Sequence, residues 1–193
     1  MSYSTLPPGT TGADRNQAGG LPRADGIVTA APPTGSVRPA VPDDLPAVAA
    51  LCTEHAAFER SGPVPADLAD RLGPVLFSEN PKAWCLVADR GGEVIGYATC
   101  SLEFSTWQAA AFVHMDCLFV AEPYRGEGWG RALLDAVQRS AEGRGIGEVQ
   151  WQTPDWNVDA IRFYHRAGAQ GASKVRFSLA VGPPRDPASH PSP

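Results

Sequence analysis

Arg125-Gly126-Glu127-Gly128-Trp129-Gly130 decides the reading of this chain. An extended apolar stretch, Met115 to Val120, runs into it, and a helix-like stretch, Arg131 to Ala141, runs out of it. Glycine at alternate positions lets the backbone turn sharply and leaves its N–H groups uncovered. Those groups open a helix, whose first turn has unpaired donors and a partial positive charge. The result is a seat for an anion, best matched by a pyrophosphate. A Walker loop needs four residues between its glycines and then Lys-Ser/Thr, and the dinucleotide fingerprint needs G-x-G-x-x-G. Neither pattern is here. The structural alternative is a glycine-rich turn before an amphipathic helix.

The flanks bound the rest. Residues 1–35 carry Pro7, Pro8, Gly9, Gly12, Gly19, Gly20, Pro32, Pro33 and Gly35 without an apolar period, and residues 182–193 hold five prolines. Such composition predicts disordered Pro/Gly-rich ends, because too little apolar surface is available to offset ordering entropy. Residues 36–181 then form one domain, large enough for a single core. The opening residues lack the apolar run of a signal peptide and no stretch reaches membrane-spanning length, so neither membrane nor secretion is expected. Cys52, Cys85, Cys100 and Cys117 lack metal-type spacing and sit in apolar runs. They read as reduced thiols of a cytoplasmic protein with no metal. The formal charge of −5 argues against a general nucleic-acid binder and is compatible with a cationic substrate.

Ser36 to Ala40 reads as a first strand. Asp43 or Asp44 then caps a helix that tolerates Pro46 in its first turn. Leu45, Val48, Leu51, Cys52, His55 and Phe58 recur at helical spacing up to about Arg60. A second helix is expected over Ala66 to Phe77. Trp84–Ala88 and Glu93–Leu102, joined at Arg90-Gly91-Gly92, read as a hairpin. Phe104 to Ala110 reads as a loop and Ala111 to Val120 as a long strand. Arg131 to Glu142 is helical, with Leu133, Leu134, Val137 and Ala141 on one face. Val149 to Thr153 is a strand with Trp151 opposite Gln150 and Gln152, Val158 to Ala167 a helix, and Ala172 to Ala180 a last strand. That order predicts an α/β fold with a mixed, mainly antiparallel sheet and helices packed on it.

A second stretch, Trp156-Asn157-Val158-Asp159-Ala160-Ile161-Arg162-Phe163-Tyr164-His165-Arg166-Ala167-Gly168-Ala169, completes a pattern. With the glycine loop, it resembles the GCN5-related N-acetyltransferases. Within them it resembles the diamine (spermidine/spermine) and thialysine branch, which carries W-N-x-x-x-I-x-F-Y-x-R-x-G-A. Glu54-His55-Ala56-Ala57-Phe58-Glu59, Phe104-Ser105-Thr106-Trp107 and Met115-Asp116-Cys117-Leu118-Phe119-Val120 are similar to further segments of that branch, in order, over residues 36 to about 180. The resemblance implies the fold of that superfamily: a mainly antiparallel sheet of about six to seven strands flanked by about four helices. Each match also has a bland account. Asn157 is a good helix N-cap, Phe163 and Ile161 suit a core, and Tyr164 could be a half-buried aromatic.

The resemblance further implies transfer of acetyl from acetyl-coenzyme A to a primary amine of a small molecule, by direct attack. Arg125, Gly126, Glu127, Gly128, Trp129, Gly130 and Arg131 would hold the pyrophosphate. Leu118, Phe119 and Val120 would pair with the pantetheine arm, an amide at Phe119 or nearby would face the thioester oxygen, and Asn157 and Ala160 would line the coenzyme further along. Tyr164 would protonate the departing thiolate. A phenol near pKa ~10 gives its proton to a thiolate of ~8.5 at a cost of roughly 2 kcal/mol when neither is shifted. Asp116 would orient the amine, with His114 two residues away on the same strand face. Imidazoles as a class suit proton relay better than carboxylates, although a strand histidine without such a role is the commoner case. Phe58, Glu59, Trp107, Asp116, Gln150, Trp151 and Gln152 would line the amine, and a two-fold homodimer is implied.

The match fails at two acidic positions. The branch usually has two successive acids on the long strand, and here the second is Cys117. The connection Gln170-Gly171-Ala172-Ser173-Lys174 lacks the last carboxylate used for polyamines. Each charge on a polyamine needs a local partner to offset desolvation. An amino-acid-like or antibiotic amine fits better than spermine. Modification of a protein lysine or N-terminal amine, and a non-catalytic acetyl-coenzyme A-binding module, are the rival readings.

Overall fold

The computed structural model describes residues 35–179 and 181. The expected disordered ends, at residues 1–34 and 182–193, lie outside the described residues. One face-to-face alternation organises the core. Along β2 (Ala83–Arg90), Cys85 and Val87 point to one side of the sheet while Leu86 and Ala88 point to the other, and all four are buried. A strand covered on both faces needs this unbroken apolar run. β2 pairs with β3 (Glu93–Ser105) across Gly91 and Gly92, both at positive φ, with Asp89 accepting the Gly92 N–H at 2.7 Å. β3 continues past Leu102, because Leu102 to Ser105 find partners in Val113 to Ala110 of β4 (Ala110–Val120). The predicted loop shrinks accordingly to residues 106–109.

β1 (Ser36–Pro39) pairs with the outer edge of β2, and β5 (Val149–Gln150) runs parallel to β4, giving the order β1-β2-β3-β4-β5. On one face lie α1 (Leu45–Phe58) and α2 (Leu68–Phe77), packing Leu45, Val48, Leu51 and Leu76 on Val87, Tyr97 and Phe119. The other face carries α3 (Trp129–Glu142) and, beside it, α4 (Val158–Arg166). Leu133, Leu134, Val137 and Ala141 of α3 are all buried, as their helical spacing predicts. Burying each such Leu or Val contributes about 1.5–3 kcal/mol.

Several expectations are corrected. The sheet has five strands among the described residues, below the six to seven implied. No strand forms over 172–179, whose apolar side chains Val175, Phe177 and Leu179 face outward. β5 stops at Gln150, short of Thr153, because β4 and β5 diverge and leave no ladder to join. α3 begins at Trp129, two residues early, since Gly128 takes the left-handed conformation and caps it. Asp44 stands at the N-cap of α1, as expected, but its side chain makes no capping bond to that helix. A 3₁₀ turn, Pro42–Asp44, precedes it, and the Asp44 carboxylate reaches back to the Val41 N–H at 2.8 Å.

Asp44 is a buried charged residue, and Arg38 of β1 pairs with it at 2.7 Å. Arg38 also meets Asp89 of β2 at 2.9 Å. The arginine thus ties β1 to the end of β2 and to the start of α1. Its hydrogen bonds hold the Asp44 carboxyl below the usual carboxylate range, against burial, and the Val41 N–H adds to the effect. A lowered folded pKa contributes stability that is full above the unfolded value of ~3.9 and is lost as pH falls through the folded value. Asp44→Asn should cost about 1.5–3 kcal/mol at neutral pH, measured by chemical denaturation. The difference from the parent should shrink once the pH falls below about 4.

Candidate active site

The site grows from an irregularity in β4. Thr99 pairs with Cys117 and Cys100 with Met115, so Asp116 is an extra residue opposite no partner on β3. A bulge of one residue reverses the facing of everything beyond it. Before it, Val113 and Met115 enter the α3 side of the core; after it, Leu118 and Val120 do, while Cys117 and Phe119 face α1. The β4–β5 ladder holds only Val113 with Val149 and His114 with Gln150. Beyond His114, the side of β4 facing β5 has no strand partner among the described residues.

Main-chain polarity follows from the register. Ala121 donates its N–H to Ile95 of β3 at 2.9 Å. By alternation, the Phe119 main-chain groups also face β3, and those of Leu118 and Val120 face the opening. The Val120 carbonyl there accepts from Arg125 Nε at 2.9 Å.

The opening leads to the glycine loop. Gly126 and Gly128 have φ of 83° and 91°, a conformation that L side chains rarely adopt. A Cβ at Gly126 would meet nothing within 4 Å, so the backbone there is open to an incoming group. The first helical bond of α3 runs from the Ala132 N–H to the Gly128 carbonyl at 3.0 Å. Trp129, Gly130 and Arg131 therefore present N–H groups ahead of the helical ladder. The Trp129 side chain is no part of this surface. It is 1% exposed in the core, and its Nε1 donates to Glu127 at 3.3 Å. Arg131 is paired with Asp135 at 2.7 Å. The Arg125 guanidinium lies over Phe58 and Phe119, 4.7 Å and 5.1 Å from their centroids.

At the other side of the opening stand α1 and α4. Phe58 packs on Trp156 and Phe119, with centroids 5.9 Å and 6.5 Å away. Tyr164 packs on Trp151 at 5.0 Å and on Phe163 at 5.1 Å. Burial pushes its phenol up to about 12, with Glu59 and Cys117 near enough to add to the shift. The shift widens the gap to a thiol. Asn157 caps α4, its Oδ1 accepting the Ala160 N–H at 3.2 Å. Asp116 is exposed, 4.0 Å from His114 Nε2, and accepts from the Cys117 thiol at 3.6 Å.

The structure thus gathers Phe58, Glu59, Leu118, Phe119, Val120, Arg125 and Tyr164 around the opening, with Asp116 at its rim. Trp107 is not gathered there. It is 97% exposed at the β3–β4 turn and shares a cleft of about 360 Å³ with Gln150, Phe104 and Lys174, at the end of β4 remote from the glycine loop. Gln152 is exposed. Sequence reasoning treated His55 only as a position in an apolar helical face. In the structure it sits one turn before Glu59, between Tyr97 and Phe119. The spacing of four between two polar residues inside that face is the signal that marks it.

Comparison with known proteins agrees with this geometry. L-ornithine N5-acetyltransferase NATA1 of Arabidopsis thaliana is 35% identical over 106 residues, which cover 54% of this chain and 46% of that enzyme. The match therefore spans about half the length of the plant relative. Thialysine N-epsilon-acetyltransferase of Mus musculus is 29% identical over 142 residues, 69% of this chain and 83% of the mouse protein. The crystal structure of the aminoglycoside acetyltransferase meta-AAC0020, from an uncultured soil metagenomic sample, superposes with a TM-score of 0.65 over 77% of this chain and 97% of that one. At 19% identity, that likeness speaks for the fold alone. Residues 49–169 match the acetyltransferase (GNAT) family, and the chain belongs to it.

Proposed function

We propose that the protein, through residues 36–181, transfers acetyl from acetyl-coenzyme A to a primary amine of a small molecule. The observation that carries this reading is the open side of β4, bounded at one end by the glycine loop and at the other by Glu59 and Tyr164. The residues fit the coenzyme. Main-chain groups of Leu118 and Val120, with Phe119 between them, would pair with its extended arm. The N–H groups from Gly126 through Glu127, Gly128, Trp129 and Gly130 to Arg131 would take the pyrophosphate, with Arg125 at the entrance. Asn157 and Ala160, at the start of α4, would line it further along. When bound, the coenzyme supplies an activated acetyl thioester. A main-chain N–H of Leu118 or Val120 would stabilise negative charge on the acetyl oxygen.

Tyr164 would hold the proton that the departing sulfur needs. With its phenol at about 12, donation to a thiolate of ~8.5 is uphill by roughly 5 kcal/mol as an isolated step. Transfer must then accompany carbon–sulfur cleavage. A cationic substrate beside Glu59 would also cancel part of the carboxylate's opposition. Glu59 and Asp116 are the cation partners, with Phe58, Trp151, Gln150 and, further out, Gln152 as walls. With Cys117 in place of an acid and no carboxylate in residues 170–174, a substrate with few positive charges fits best. The relatives named for ornithine and thialysine favour an amino-acid-like amine.

We also place the protein in the cytoplasm, where its four free cysteines would stay reduced; no described helix is long and apolar enough to cross a membrane. We further infer a two-fold homodimer. Support comes from the outer edge of β5, which lacks a strand partner among the described residues, and from the outward Val175, Phe177 and Leu179.

Thiol release with acetyl-coenzyme A and a panel of amines tests the reaction itself. Tyr164→Phe should lower kcat by about 10²-fold or more while calorimetry finds the coenzyme Kd within about twofold of the parent; an unaltered kcat would remove the acid role. Because the phenol keeps its proton up to about 12, Tyr164 should cause no alkaline decline in kcat below about pH 11. Gly128→Ala puts a Cβ on a left-handed residue at a cost of about 1–2 kcal/mol. Coenzyme affinity should fall about tenfold. Phe177→Lys with Leu179→Lys should convert a dimer to a monomer in light scattering.

A further inference from the structure

His55 lies beneath the reactive end of the opening with a partner on every side. Its side chain is 13% exposed, and its ring stacks on Phe119 with centroids 4.9 Å apart and planes 21° apart. Nδ1 is 3.1 Å from the Tyr97 hydroxyl, and Nε2 is 3.4 Å from Glu59 Oε1. Tyr97 is fully buried, with the thiols of Cys52 and Cys117 against its hydroxyl. An apolar residue would fill this position of α1 as well, and would leave both the Glu59 carboxylate and the Tyr97 hydroxyl without this link.

The donor and acceptor inventory selects one arrangement for the neutral ring. A carboxylate only accepts, so the neutral ring carries its N–H on Nε2, which faces the Glu59 carboxylate at 3.4 Å as an electrostatic neighbour. The phenol can donate, so the Tyr97 O–H donates to Nδ1. The Tyr97–His55 hydrogen bond then fixes the ring, whose Nε2–H faces the carboxylate without drawing off its negative charge. A protonated ring changes that balance. Nδ1–H donates to the Tyr97 oxygen, the hydroxyl proton turns toward a thiol sulfur, and the imidazolium becomes a full cation beside Glu59. Glu59 of α1 and Tyr97 of β3 face His55 directly; Cys52 of α1 and Cys117 of β4 lie against Tyr97, Asp116 of β4 beside Cys117, and Tyr164 of α4 near Glu59. Arg125, from the loop, shares the Phe119 ring.

We propose that His55 is a positioning residue that presents Glu59 to the ammonium group of the substrate, and that its protonation pairs Glu59 internally and withdraws it from the substrate. Amine recognition is then gated by pH while coenzyme recognition is not. The inference rests on the acetyl-transfer reading and assigns the recognition of its amine to one carboxylate under control of one imidazole.

Two measurements test it. Long-range proton–nitrogen NMR on the free protein should show the neutral His55 ring as the Nε2–H tautomer, and Glu59→Gln should move its Nε2 resonance. A ring in the Nδ1–H form, or one indifferent to Glu59→Gln, overturns the proposal whether or not an amine substrate is in hand. With L-ornithine or another primary amine accepted in the thiol-release assay, the amine KM of the parent should rise about tenfold as the pH is lowered, with the coenzyme KM flat. In His55→Gln, the amine KM should lose that dependence, and Glu59→Gln should keep a high amine KM throughout. A rise that persists in His55→Gln, or that appears equally in the coenzyme KM, also overturns it. Absence of thiol release by the parent with every amine would instead strike the acetyl-transfer reading, and the NMR result would still decide the His55–Glu59 link.

Discussion

One supernumerary residue on β4 organises this molecule. Opposite Asp116, β3 offers nothing, and the two-residue period of the strand is reset at that point. The reset lets one strand serve both cores: Val113 and Met115 supply the α3 side before it, and Leu118 and Val120 supply the same side after it. It also brings Cys117 and Phe119 under α1. The ladder to β5 has already ended at His114, so the reset strand runs on with one edge free. A free edge inside a covered sheet normally invites pairing with another strand. Here it is bracketed by helix termini and aromatic side chains, and its unpaired main-chain groups are the surface we propose for the coenzyme arm.

Charge is distributed unevenly around that edge. The Arg125 guanidinium lies over two aromatic rings and bonds the Val120 carbonyl. Across the opening stand Glu59 and, at the rim, Asp116. The cation stands on the side of the glycine loop, where an anionic ligand would bind, and the carboxylates stand where an amine would approach. The separation is modest in distance; Glu59 is half-buried, where opposite charges discriminate more strongly than at an open surface, whereas Arg125 and Asp116 are exposed.

The sequence made the glycine loop, the hairpin and the four helices legible because each rests on local rules: turn residues, caps and helical spacing. Trp129 shows where those rules stop. Its place inside a glycine-rich motif suggested a ligand contact, yet a large apolar ring at the first position of a helix is drawn into the core. Asp116 was readable as an acid on a strand, but the register shift it creates depends on β3, which no local pattern reports. The stretch 172–179 alternates apolar residues as a strand should, yet it forms no ladder, and Val175, Phe177 and Leu179 are left facing outward. His55 escaped notice because an imidazole satisfies a helical apolar period as well as a leucine does. Its partners, Tyr97 and Phe119, come from strands forty-two and more residues away in the chain.

The burial of Trp129 has a thermodynamic side. A glycine-rich loop would ordinarily sample many shapes and surrender that freedom on meeting a ligand. Here an indole sunk into the core, with its nitrogen donating back to Glu127, anchors the end of the loop to the least mobile part of the molecule. A loop so anchored would forfeit less entropy on meeting the proposed coenzyme, and more of the contact energy would survive as affinity.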